Sequence, residues 1–145
     1  MSAILKEIIF PCGPESSSAS DWILLIIRVI FGTLLFVHGF QKVTHYDTLS
    51  GTFPDPIGIG SRLSLQLAIF AEFLCSLGVI SGLFFRLALI PMIVTMIVAA
   101  FFALKGAPWL QRELPVSYLL VYLLLIITGP GRHSLDAVIC RWIGW

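Results

Sequence analysis

The chain has 145 residues, 58% of them hydrophobic and only 12% charged, with a mean hydropathy of +0.98. Soluble domains carry about 25% charged residues, so this is the composition of an integral membrane protein. The net charge is +1 and the nine basic residues are scattered singly, so no cationic face exists and nucleic acid is excluded as a partner.

In chain order, residues 1–21 read as a flexible lead: the stretch PCGPESSSAS is rich in Pro, Gly and Ser, and no basic start, apolar run and small-residue cleavage site announce a signal peptide. Asp21 and Trp22 mark the membrane interface, where an indole is at home. A spanning helix needs about 20 mainly apolar residues. Four candidates follow, Trp22 to Phe40, Arg62 to Phe84, Leu87 to Leu104 and Leu114 to Gly129, which make residues 22–130 a four-helix transmembrane domain. Pro115 suits the first turn of the last span, and the Gly-Pro-Gly-Arg run at 129–132 ends it.

The first connection, QKVTHYDTLSGTFPDPIGIGS, is long and rich in turn residues, whereas LFFR leaves almost no linker and makes spans two and three a tight hairpin. In residues 131–145, Ser134 suits a helix cap and Asp136 a first turn, while Leu135, Val138, Ile139, Trp142 and Ile143 recur at helical spacing. That segment is too short to span and reads as an interfacial amphipathic helix, with packing against the bundle as the alternative. The fold class is therefore an all-α, four-helix membrane bundle with a short interfacial tail helix. An even number of spans puts both termini on one side. Lys6, Arg86, Arg132 and Arg141 there balance Lys42, Arg62, Lys105 and Arg112 opposite, and the reading adopted is cytoplasmic termini.

Cys12, Cys75 and Cys140 lie far apart and form no C-x-x-C pair, so neither a disulfide framework nor a zinc site is expected. No pair of histidines at matching depth offers a haem site, and GIGSRL lacks the strand and full glycine pattern of a dinucleotide site. No intrinsic cofactor is expected.

Two formal charges lie inside the spans, Arg28 and Glu72, and they are expected to pair across a gap of about 9 Å along the axis, Arg28 otherwise snorkelling to the headgroups. Thr33, Ser76 and Thr95 near the midplane are candidates for a polar pocket. His38, with Lys42 one turn on and Gln66 at similar depth on the second span, marks a wetter mouth. An intramembrane carboxylate is costly and usually functional, so Glu72 is the candidate proton-exchanging, catalytic group. Arg28, Thr33, His38, Lys42, Gln66, Ser76 and Thr95 are the candidate ligand-binding residues.

The ordered segments RVIFGTLLFVHGFQKV, AEFLCSLGVISGLFFR, PMIVTMIVAAFF, ELPVSYLLVYLLL and GPGRHSLDAVI resemble the DoxX family of small four-helix bacterial membrane proteins, over about residues 22–139. The resemblance rests on Arg28, His38-Gly39, Lys42, Glu72, Gly82-Leu83 with Arg86, Glu113 and the Gly-Pro-Gly-Arg, Ser-Leu-Asp ending. His133 stands where the family commonly has Tyr. The resemblance implies a multi-pass protein of the bacterial inner membrane, related to the small subunit of thiosulfate:quinone oxidoreductase and linked to redox or quinone stress. It makes the chain a candidate membrane subunit of a quinone-linked oxidoreductase, surrounded by membrane lipid, with a quinone or similar lipophile between its helices. A soluble redox protein would supply electrons, and a homo-oligomer is compatible. The alternative is a non-catalytic scaffold or assembly protein in which the buried charges only lock helices; a small transporter is the third reading.

Overall fold

The computed structural model describes residues 18–143, and side chains within 19–142. The expectations for residues 1–17, Cys12 included, and for Trp145 lie outside the described residues. Every regular element among them is helical. Helix α1 (Ser18–Thr44) is followed by the single turn α2 (Tyr46–Leu49). Helices α3 (Ser61–Ser81), α4 (Phe85–Ala103) and α5 (Trp109–Thr128) complete four helices long and apolar enough to cross a membrane, and α6 (Leu135–Ile143) closes the chain.

The expected span limits shift where local chemistry decides them. The first helix is longer at both ends than the expected 22–40, so residues 18–21 of the expected lead are helical, with Asp21 favourably placed in the first turn. The second span stops at Ser81 because Gly82 takes the left-handed conformation (φ 69°), letting Leu83 N–H bond the Gly78 carbonyl at 2.9 Å. The last starts at Trp109, which places Pro115 inside α5 instead of in its first turn.

Two of the helices contain π turns, at Phe70–Leu74 in α3 and Val98–Ala103 in α4. A π turn holds one more residue than an α turn and leaves carbonyls without their usual donors, a feature common at functional sites. Side chains bond carbonyls in or near both turns. Ser76 Oγ bonds the Glu72 carbonyl at 2.6 Å, and Arg112 Nε bonds that of Ala100 at 3.0 Å.

The core runs along the bundle from Val79, Phe85, Leu89, Met92, Tyr122 and Leu125 to Leu35, Met96 and Tyr118, all buried. Large apolar side chains such as Ile26, Leu34, Leu74, Val94, Leu124 and Ile127 are exposed around the outside, which is the arrangement a hydrocarbon solvent requires. Since lipid tails are as apolar as leucine, helix association depends on close packing through small residues. At Gly39 a Cβ would come within 2.6 Å of the Glu72 carbonyl carbon, so glycine alone lets α1 rest directly on the π turn of α3.

The tail helix is locked onto the bundle by its polar residues. Asp136 is 1% exposed, and its carboxylate accepts the amides of Phe84 (2.9 Å) and Phe85 (3.0 Å), serving as an N-cap for α4 from 51 residues away in sequence. Burial pushes its carboxyl above the usual aspartate range, against the lowering pull of those two amides and of Arg28. Leu135, Val138 and Trp142 point outward, Trp142 at 91% exposure, so the apolar stripe faces the headgroup region while Ser134 and Asp136 face the protein. The cysteine spacing pointed to no disulfide framework, yet Cys140 is disulfide-bonded; Cys75 is free and buried.

In the long connection, Asp55 organises the entry to α3, accepting the amides of Ile59 (2.9 Å) and Gly60 (2.7 Å) and the Ser64 hydroxyl (2.9 Å). The Gly60 amide foremost holds its carboxyl below the ordinary value of 3.8. A lowered folded pKa adds stability that is complete above the ordinary value and is lost as pH falls through the lowered one. Hydrogen exchange of residues 55–64, corrected for intrinsic rate, is therefore expected to stay level from neutral pH down to about 5 and to accelerate below 3.8. Asp55→Asn should abolish that acid step; an unchanged step would show that another group controls the loop.

Candidate functional site

Glu72 sits on the π turn of α3, with its side chain 8% exposed, and forms an ion pair with Lys42 of α1, whose side chain is 23% exposed. The expected pairing of Arg28 with Glu72 is therefore corrected. A Cβ on Gly39 would touch the Glu72 backbone, which puts Glu72 level with Gly39, three residues below Lys42 and about 4.5 Å along the axis, within reach of a lysine stem. Arg28 instead lies level with Gly82, where an added Cβ would come within 2.9 Å of its Nη1. Ten residues separate Glu72 from Gly82, about 15 Å of helix, well beyond the 9 Å expected from the shorter first span.

Arg28 is 1% exposed and belongs to the tail lock. Its Nη1 donates to the Pro130 carbonyl and its Nη2 to the His133 carbonyl at 2.6 Å, with Asp136 close enough to share its field. Two carbonyls held by one planar fork fix the 129–134 connection to α1, beside the α3–α4 hairpin. That role is structural, and it lies at the opposite end of the bundle from the mouth.

Of the other residues singled out, His38 joins the Lys42 end. It is half-buried and, with Gln41, Lys42, His45, Thr48 and Leu49, lines an open cleft of about 400 Å³ between the end of α1 and α2. Gln66 is exposed and donates to the Tyr46 hydroxyl at 2.9 Å, tying α2 to α3 beside that cleft. The midplane pocket expected from Thr33, Ser76 and Thr95 does not assemble: Thr33 faces outward, Ser76 is spent on the Glu72 carbonyl of its own helix, and the Thr95 hydroxyl makes no hydrogen bond among the described residues.

Tyr118 and Tyr122 of α5 were missed by sequence reasoning. They stack at 5.8 Å, and both lie within the electrostatic field of Glu72. The Tyr122 hydroxyl donates to the Phe31 carbonyl at 3.1 Å. The ring of Tyr118 meets Phe31 edge-on at 5.8 Å and His38 edge-on at 6.5 Å. The available signal was YLLVY itself, two phenols one helical turn apart in an apolar run, each needing a place for its polar end. Outside this group, Phe36, Phe40 and Phe73 stack on one another along the α1–α3 seam at 4.9 to 6.4 Å.

The assembled site is a neutralised ion pair, an imidazole and a phenol beneath an open cleft on the loop side. Among the described residues no group of three or more His, Cys, Asp or Glu is placed to hold a metal ion. Residues 23–105, from the first turns of α1 to just beyond α4, match the family model described as DoxX. The chain belongs to the DoxX family. That match takes in His38, Lys42 and Glu72, so the centre of the site falls in the DoxX region, whereas Tyr118 and the Asp136 lock lie beyond it. No curated protein and no solved structure matches the chain. It is thus a multi-pass DoxX membrane protein, with its charged pair at the loop-side end of the bundle.

Proposed function

We propose that this DoxX protein binds a quinone, or a similar lipophile with a flat oxygen-bearing ring, at the Lys42–Glu72 pair, and works with a soluble redox protein as the membrane subunit of a quinone-linked system in the bacterial inner membrane. The observation that carries the reading is a cleft lined by His38 and Lys42 at the end of the membrane-spanning helix α1, with Glu72 held to Lys42 beside it. The Lys42 ammonium has hydrogens beyond the one given to Glu72, the His38 imidazole makes no hydrogen bond among the described residues, and one oxygen of Glu72 is left unbonded. A ring carbonyl needs donors, and its reduction to a hydroxyl takes up protons. In this reading Lys42 and His38 donate to the oxygens, Glu72 exchanges the proton, and the partner supplies the electrons.

The disulfide at Cys140 supports placing the tail side in an oxidising compartment, since disulfides persist there and not in the reducing cytosol. This reverses the orientation adopted from the tied charge count and opens the cleft towards the cytoplasm, where a soluble reductant is available.

The test separates a ligand site from a mere helix lock. In the exchanged variant, Lys42→Glu with Glu72→Lys, the attraction is kept while acid and ammonium trade places. Its melting temperature in detergent is expected to approach that of the parent, and its affinity for a short-chain quinone, measured by calorimetry, to fall at least tenfold. Equal quinone binding by both proteins, or none by the parent, would favour the scaffold role.

A further inference from the structure

The geometry points to Tyr118 as a ligand-contacting residue of the same site, its hydroxyl donating a hydrogen bond to a ring oxygen of the bound molecule; this rests on the quinone reading. Tyr118 is 4% exposed, and its ring is held by Phe31, His38 and Tyr122. A phenol buried so deeply ordinarily finds a partner for its hydroxyl, because a polar group left without one costs stability. Tyr122, its stacked neighbour, does so through the Phe31 carbonyl. The Tyr118 hydroxyl makes no hydrogen bond among the described residues, yet its oxygen is not sealed from accessible space.

Position supplies the rest. His38 lines the cleft, and the ring of Tyr118 lies edge-on to its imidazole, with centroids 6.5 Å apart. Glu72 lies close enough for its field to reach the phenol. A flat ring seated against His38 would therefore have beside that imidazole a rigid phenol whose hydrogen-bonding capacity the fold has left unused. The ring of Tyr118 is fixed by three aromatic contacts, so little rotamer freedom is lost when the ligand binds. The chemical class this selects is a planar compound with a hydrogen-bond-accepting oxygen on its ring, as distinct from an aliphatic lipid.

Tyr118→Phe and Tyr122→Phe form the test, each removing one oxygen and keeping the ring. With a short-chain quinone as probe, Tyr118→Phe is expected to weaken binding about fivefold to tenfold, the loss of one hydrogen bond, with no change in melting temperature. Tyr122→Phe should do the reverse, melting earlier and binding as the parent does. If the parent binds the quinone and Tyr118→Phe binds it equally, the assignment of Tyr118 falls while the quinone site stands. If Tyr118→Phe melts earlier, its hydroxyl serves the fold and the assignment is overturned. If the parent binds no quinone, both the site and Tyr118's part in it are overturned.

Discussion

Arg28→Met is expected to destabilise the protein by about 3–5 kcal/mol, the range for removing one partner from a buried charged network. Methionine fills much of the volume but leaves the Pro130 and His133 carbonyls without donors and Asp136 without its neighbouring positive charge. The loss should be local in its first effect. Exchange protection of the amides between 129 and 136, and of the Phe84 and Phe85 amides that Asp136 caps, is expected to fall before that of the α1–α3 contact. Arg28→Lys should rescue little, because one ammonium cannot span two carbonyls in the manner of a planar fork. A methionine variant that melts with the parent would mean that the tail is held by its apolar contacts alone.

Much of the scaffold was legible in the sequence because its signals are local. Length and hydropathy mark four spans, the short LFFR linker marks the hairpin, and the spacing of Leu135, Val138 and Trp142 marks an outward apolar stripe. The pairing of charges was not legible, because it depends on where helices end. Extending α1 to Thr44 brings Lys42 over Glu72, and ending α3 at Ser81 sets Arg28 against the hairpin instead. Asp136 shows a second limit: its acidic side chain suits the first turn of its own helix, and nothing near it in the chain reveals that it caps α4 as well. The π turn under Glu72 carries no pattern of its own in residues 70–74 and becomes visible only with Gly39 packed against it.

The Lys42–Glu72 pair is expected to respond asymmetrically to the loss of each partner. Lys42→Met strands a carboxylate whose side chain is 8% exposed, and should cost about 3–5 kcal/mol. Glu72→Gln leaves a lysine that is 23% exposed and borders the cleft, where it can turn to water, while the amide oxygen still accepts a hydrogen bond. Its cost should be nearer 1–2 kcal/mol, that of a weakened hydrogen bond. Two residues in direct contact do not act independently, so the double variant should be less destabilised than the sum of the singles, with a coupling of about 1–3 kcal/mol. Thermal and chemical unfolding of the four proteins in one detergent measures all three quantities, and additive losses would show that the two side chains stand apart in the membrane. The asymmetry bears on the proposed chemistry. A lysine able to leave its carboxylate for the cleft can turn to an arriving ring oxygen, and the carboxylate it leaves is then free to take or give a proton beside that ligand.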